Sequence, residues 1–205
     1  MPVSHVEFLV EEPSMEAILR VLLPRLLGEA TFGVYAHQGK DDLLAKLPQR
    51  LRGYAGWLPD DWRIVVLVDR DDDNCHELKA RLESMSGDAG LVLRSSSEGG
   101  TYQAVSRVAV EELEAWNFGD WQAVYRAYPR VPEAVPRRAK YRDPDAIAGG
   151  TCEAFERILR RAGYVSTGLR KIEAARAIAE HLEPDRNTSR SFQVFRDVLY
   201  EMASA

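Results

Sequence analysis

Two acidic clusters each follow a short apolar run that reads as a buried strand. Val6-Glu7-Phe8-Leu9-Val10 leads into Glu11-Glu12-Pro13-Ser14-Met15-Glu16, and Ile64-Val65-Val66-Leu67-Val68 leads into Asp69-Arg70-Asp71-Asp72-Asp73. In open α/β sheets ligands bind beyond the carboxyl ends of the strands, so carboxylates at two such ends can converge on one point. Converging carboxylates need a cation. A hard divalent ion such as Mg²⁺ binds through one or two carboxylates plus substrate phosphate oxygens, so the expected chemistry is phosphate chemistry with Mg²⁺ or Mn²⁺.

Other readings of these acids are weaker. Asp69, Asp71 and Asp73 match the first three ligand positions of a helix–loop–helix calcium site, but Asn74 stands where the loop needs Gly and Ala80 where it needs Glu. A phosphoacceptor Asp would sit beside acids that repel a phosphoryl donor. The non-functional reading is a solvated turn with Asp73 or Asn74 as helix N-cap. One cap suffices, whereas four acids among five residues repel one another unless a cation or water screens them. For Glu12 and Glu16 the helix macrodipole is an adequate explanation.

A third acidic group, Glu111, Glu112 and Glu114, follows Val108-Ala109-Val110, and helical spacing puts Glu111 and Glu114 on one face. Glu114 is the candidate for an additional ligand or a general base, and a second ion there would permit in-line displacement at phosphorus. The alternative is an acid-rich first helical turn. Asp120 reads as a cap and Trp116 as a core aromatic. Arg137, Arg138, Lys140 and Arg142 surround Tyr141 and could hold phosphates while the ring stacks on a base; a solvated linker is the plain alternative. Lys171 and Arg190 join this nucleic-acid-binding set, Arg190 because it precedes a helix whose N-terminal amides could hold a phosphate.

Several chemistries are disfavoured. The chain has no phosphate-binding Gly-x-x-x-x-Gly-Lys-Ser/Thr loop and no Gly-x-Ser-x-Gly, and Glu98-Gly99-Gly100-Thr101 lacks a dinucleotide fingerprint. His5, His37, His76 and His181 share no zinc-ligand spacing, although His76 lies just beyond the aspartate cluster. Cys75 and Cys152 belong to no metal or redox motif and read as reduced. No tyrosine has a context that suggests covalent strand passage.

The elements that must position these residues follow from periodicity. Strands are expected at about 5–10, Thr31–Ala36, Arg63–Val68, Leu91–Arg94 and Ala104–Val110, the last leading into Glu111–Trp116. Helices are expected from Ser14, as N-cap, to Leu27, at Asp41–Leu51 interrupted or bent by Pro48, and at Asn74–Met85. This β-then-α rhythm predicts a mainly parallel sheet flanked by helices. Four prolines between 129 and 145 mark a connector, and helices at Thr151–Ala162, Gly168–Leu182 and Ser189–Met202 form a C-terminal helical extension. The expected organisation is an α/β domain over 1–127, a proline-rich basic connector over 128–150, and a helical extension over 151–205 packed on the same domain.

Composition is that of an ordinary soluble domain of 205 residues, 45% hydrophobic and 29% charged. No apolar run is long enough for a bilayer and no leader pattern is seen, so a cytoplasmic protein without membrane partners is expected. Residues 1–125 hold 12 basic and 21 acidic side chains, net -9, whereas 126–205 hold 15 and 11, net +4. An acidic metal-collecting half beside a basic half suits an enzyme acting on nucleic acid; ordinary fluctuation would give the same asymmetry.

A Glu closing the first strand, followed by a loop and helix, with Asp-x-Asp closing a later strand, resembles the TOPRIM fold of topoisomerases, bacterial primases and overcoming-lysogenization-defect nucleases. Glu11 matches its glutamate, and Asp69 and Asp71 match its Asp-x-Asp, although Glu12 stands where the motif has Gly. Nearly the whole chain is similar to a TOPRIM-like family of small bacterial proteins labelled a domain of unknown function. The similarity is carried by Glu11–Glu16, Asp69–Asp71, Glu111–Trp116, Arg142–Ile147, Lys171–Arg176 and Ser189–Phe192. It implies a TOPRIM-like α/β fold, and for some relatives a place in phage-defence or mobile-element loci with a separately encoded ATPase.

The combined expectation is a metal-dependent nuclease. Glu11, Asp69, Asp71 and Asp73 hold Mg²⁺ or Mn²⁺, Glu114 assists, and ion-activated water attacks the phosphodiester, with DNA placed ahead of RNA as substrate. The other expectation is a non-catalytic TOPRIM-like module that binds or regulates a partner ATPase, and either form could be a homo-oligomer.

Overall fold

Strands buried on both faces read as continuous apolar runs, and the runs at 6–10 and 64–68 are of that kind. The computed structural model describes residues 2–97 and 101–204. It contains four strands, β1 (His5–Val10), β2 (Thr31–Ala36), β3 (Trp62–Asp69) and β4 (Ala104–Ala109), in one sheet of order β2-β1-β3-β4. Every neighbouring pair is parallel. The α/β architecture expected from the alternating rhythm is therefore present, with the sheet wholly parallel.

Helix α1 (Pro13–Leu26) joins β1 to β2, α2 (Lys40–Ala55) joins β2 to β3, and α3 (Cys75–Asp88) leads from β3 towards β4. After β2 the chain reverses direction across the sheet, which sends α2 and α3 to the face opposite α1. Leu9, Ile64, Val66 and Val68 pack with the leucines of α2 and α3. Val6, Phe8, Val10, Val65 and Leu67 point the other way, into the larger core. The period-two alternation of each strand serves both layers.

That larger core also takes in the C-terminal half. Short helices α4 (Glu114–Gly119) and α5 (Trp121–Ala127) are followed by three 3₁₀ turns, then α6 (Thr151–Arg161), α7 (Lys171–Ala179) and α8 (Arg190–Ser204). Trp116, which is fully buried, stacks on Phe195 at 5.1 Å and meets Phe192 edge-on at 5.1 Å. The helical extension thus shares one core with the sheet. No helix among the described residues is long and apolar enough to cross a membrane.

Four local expectations need correction. Leu91–Arg94 is not a strand: Leu93 makes one isolated bridge to Ala104, and Arg94–Ser96 forms a 3₁₀ turn. Ser96 Oγ donates to the Leu93 carbonyl and Ser97 Oγ to that of Arg94, so serine hydroxyls compete with a ladder for the backbone. Ser14 is not the cap of α1. Glu12 occupies that position, Pro13 begins the helix where a missing N–H costs nothing, and Ser14 Oγ donates to the Glu12 carboxylate. Helix α2 continues through Pro48, with Leu43, Leu44, Leu47 and Leu51 buried on both sides of it. Asp120 caps nothing with its side chain; its carboxylate accepts from Arg186 Nε at 2.7 Å and from the Glu183 N–H at 2.8 Å. Asn74 does cap α3, accepting from the N–H groups of His76 and Glu77. Residues 98–100 of the Glu98-Gly99-Gly100-Thr101 turn lie outside the described residues.

Candidate metal centre

In an open parallel sheet the crevice forms where the strand order reverses, at the carboxyl ends of the two central strands. Here those strands are β1 and β3. Glu11 is the first residue after β1, and Asp69 is the last of β3. The two are tied together, because the Asp69 N–H donates to Glu11 Oε2 at 2.9 Å. Gly39, at φ +101°, makes the turn after β2 and donates its N–H to the Glu11 carbonyl at 3.0 Å, fixing the glutamate from the other side.

Asp69 is 3% exposed and its Oδ1 has no hydrogen-bond partner among the described residues. Glu114, which opens α4, is likewise 3% exposed with Oε2 unpartnered. Burial and then the neighbouring Glu114, Glu11 and Glu12 charges push the Asp69 carboxyl well above the usual range. Burial pushes Glu114 up to about 7, against the pull of Lys171. Glu11 is raised as well, by burial first, although the Asp69 N–H and Lys40 counteract. Asp69 thus feels the charges of both Glu114 and Glu11. A buried carboxylate without partners is costly unless it is neutralised or meets a cation.

Two lysines serve the surrounding acids. Lys40, at the start of α2, lies 2.8 Å from Asp71 Oδ2 and 2.8 Å from Asp73 Oδ2, and donates to the Arg70 carbonyl at 3.0 Å. Of the Asp-x-Asp pair, then, Asp69 faces inward while Asp71 turns to Lys40, and Asp73 is a half-exposed partner of the same ammonium. Lys171, at the start of α7, has its Nζ 3.6 Å from Glu12 Oε1. Burial opposes its charge, but Glu114, Glu12 and Asp69 outweigh that and hold the ammonium above its ordinary range.

The backbone around the acids is unusual too. Asp71 (φ 49°) and Glu111 (φ 65°) are the non-glycine residues in the left-handed region among those described, and the Asp71 N–H donates to the Glu111 carbonyl at 2.9 Å. Such conformations concentrate at functional sites. Glu111 also pairs with Arg70. Glu12, where a glycine would stand in the resembling motif, sits at φ -141°, ψ 162°, extended backbone that any residue adopts.

Ligand atoms of Glu112, Glu114 and Cys152 lie within 4.8 Å of one another. Glu112 is committed elsewhere, since its Oε2 accepts from Thr151 Oγ1 at 2.9 Å and from the Cys152 N–H at 2.7 Å at the start of α6. Without an ion, burial and Glu114 push the Cys152 thiol up to about 12, so it is protonated there. The free donors are therefore carboxylate oxygens, with Asp69 Oδ1 and Glu114 Oε2 as the orphans. Hard oxygen donors without imidazole or thiolate fit Mg²⁺ or Mn²⁺ better than Zn²⁺.

The basic candidates part company. Arg137, Arg138, Lys140 and Arg142 are exposed, on a connector of 3₁₀ turns. Tyr141 is not available to a base: it is 4% exposed and stacks on Phe118 at 5.4 Å. Lys171 belongs with the acids rather than with the strip. The amides at the start of α8 are not open to phosphate, because the N–H groups of Arg190 and Ser191 donate to Asp145 Oδ2. Sequence reasoning missed Lys40. Its only signal is a lysine directly after Gly39, and nothing in the one-dimensional pattern aims it at β3.

A sequence model of the family described as Domain of unknown function (DUF4276) matches residues 10–200. No curated protein and no solved structure matches the chain.

Proposed function

We propose that this chain, which belongs to the family of the DUF4276 domain of unknown function, is a divalent-cation-dependent nuclease with a TOPRIM-type carboxylate site. The observation that carries the reading is the pair of unpartnered buried oxygens, Asp69 Oδ1 and Glu114 Oε2, with Asp69 tied to Glu11 at the reversal point of a parallel sheet. Asp69, Glu114 and Glu11 would hold Mg²⁺ or Mn²⁺, with Asp71 at the rim. Bound there, the ion would supply Lewis-acid activation of water and neutralisation of charge at the phosphate.

The chain's own groups have separable tasks. Glu11 is oriented by the Asp69 N–H, so its carboxylate needs no rearrangement to present its second oxygen. Glu114 lies near 7 without an ion, so an ion held there would displace its proton at neutral pH. Lys171 offsets part of the negative charge that would otherwise repel a phosphodiester. Arg137, Arg138, Lys140 and Arg142 are exposed cations suited to backbone phosphates.

The test is incubation with supercoiled, linear and single-stranded DNA and with RNA, in Mg²⁺ or Mn²⁺. Asp69→Asn should reduce cleavage about 100-fold or more while the fold is retained, as loss of a metal ligand requires. Full activity in a well-folded Asp69→Asn protein sinks the assignment. Lys171 also favours a second reading. An ammonium among Glu12, Glu114 and Asp69 is a resident cation, which would let the acids persist in a non-catalytic module that regulates a partner ATPase. Cleavage by the isolated protein decides against that module.

A further inference from the structure

Strand β4 is an edge of the sheet, and α3 and α8 flank it to leave a cavity of about 570 Å³ along its side. The walls include Cys75, Lys79, Val108, Val110, Arg190 and Val194. Two β4 side chains that line it each carry a buried polar atom without a hydrogen-bond partner among the described residues. Arg107 is 9% exposed, and its Nε has no hydrogen-bond acceptor among the described residues; its one bond is from Nη1 to the Ser106 carbonyl at 2.9 Å. Ser106 is 1% exposed and its Oγ is likewise unpartnered. No carboxylate among the described residues lies within ion-pairing distance of Arg107 or Arg190.

A buried guanidinium with no anion is a standing cost to the fold. Burial and the like charge of Arg94 act against it, and Tyr102, Glu83 and Glu201 offset only part of that. The acid in the cavity wall does not relieve it, because Asp145 is saturated by the hydroxyls of Ser189 and Ser191 and by the N–H groups of Arg190 and Ser191. What the cavity offers is a forked cation, a second arginine and a valine wall. Guanidinium pairs with phosphate in two-pronged fashion, and apolar walls suit the body that carries the phosphate.

We infer that the cavity between α3, β4 and α8 is a binding site for a nucleoside phosphate, held by Arg107 and Arg190 and separate from the carboxylate centre. The phosphate can come from a free nucleotide or from the end of a nucleic acid strand. The site uses none of the metal-centre acids, so its failure or success leaves the nuclease reading untouched.

The experiment is thermal melting of the whole protein in chelator, without divalent ions. The probes are adenosine, adenosine 5′-monophosphate, inorganic phosphate and a short 5′-phosphorylated oligonucleotide. Adenosine 5′-monophosphate or the oligonucleotide should raise the melting temperature by roughly 5 °C at saturation. Adenosine and inorganic phosphate should not, and whether the mononucleotide or the oligonucleotide acts identifies the source. Arg107→Met should melt higher than wild type without ligand, because an unpaired buried charge is gone, and should lose the ligand-dependent rise. Arg190→Ala, at an exposed position, should weaken the rise, and Arg107→Lys should restore part of it. The inference is overturned if neither adenosine 5′-monophosphate nor the oligonucleotide raises the melting temperature, if adenosine or inorganic phosphate acts equally, or if the rise survives in Arg107→Met.

Discussion

At the residue scale, the proposed chemistry rests on carboxylates whose burial makes their ionisation expensive. Glu114 lies near 7 in the fold against an ordinary value of 4.5, so the folded protein binds more protons than the unfolded chain between those pH values. Stability from this group is therefore present at low pH and is lost as pH rises through about 7, with Asp69 acting in the same direction. At about 1.4 kcal/mol per unit the Glu114 contribution reaches about 3 kcal/mol at most. Metal-free protein should show a falling melting temperature from pH 5 to pH 8. Glu114→Gln should flatten that slope, and Mn²⁺ should restore stability at pH 8 in wild type only; an unchanged slope in Glu114→Gln contradicts the account. Lys171→Met gives a second check. With the resident ammonium gone, Mn²⁺ should bind on the order of tenfold more tightly by calorimetry, while the metal-free protein should melt lower at pH 8. Weaker Mn²⁺ binding would show that Lys171 does not share the acids' charge.

At the element scale, α8 depends on a side chain from the connector. Asp145 accepts from four donors at the start of that helix, from Ser189 Oγ, Ser191 Oγ and two backbone N–H groups, and Ser191 Oγ in turn accepts from Trp116 Nε1 at 3.1 Å. Asp145→Ala should cost about 1 to 2 kcal/mol, lowering the melting temperature by about 2 to 8 °C without altering activity per folded molecule. A melting temperature unchanged by the substitution would mean the cap contributes nothing. The sequence marks Arg142–Ile147 and Ser189–Phe192 as separate segments, and nothing in their spacing announces that one caps the other. Helix capping by a remote residue has no periodicity to read. Local caps are different: Asn74 is legible because its acceptor and the N–H groups it serves are neighbours in the chain.

At the scale of the whole molecule, the sheet and the C-terminal helices share one core and should unfold together. Phe8 and Leu19 from the first half share a core with Phe155, Ile178, Phe192 and Met202 from the second. Arg25 reaches across to donate to the Leu182 carbonyl at 2.7 Å. Differential scanning calorimetry should give one transition for the full chain, and a fragment ending at residue 127 should not melt cooperatively, because α1 would lose the helix packed on it. A stable, cooperative 1–127 fragment would show instead that the extension is dispensable to the fold.

The primary structure alone determines the parallel sheet, since apolar runs closed by polar loops and alternating with amphipathic helices leave few other ways to bury both faces of each strand. It also determines that acids stand at the ends of two of those strands. Which acids matter was decided only in three dimensions. Asp69 and Asp71 are equivalent in sequence, yet one is sealed beside Glu11 and Glu114 while the other is drawn outward by Lys40. Lys171 looks like a solvent-facing cation until the packing of α7 on the main core places its ammonium beside Glu12. Burial and partnership are sums over contacts from distant segments, and those sums set a carboxylate's charge, whereas local pattern sets only where along the chain a carboxylate occurs.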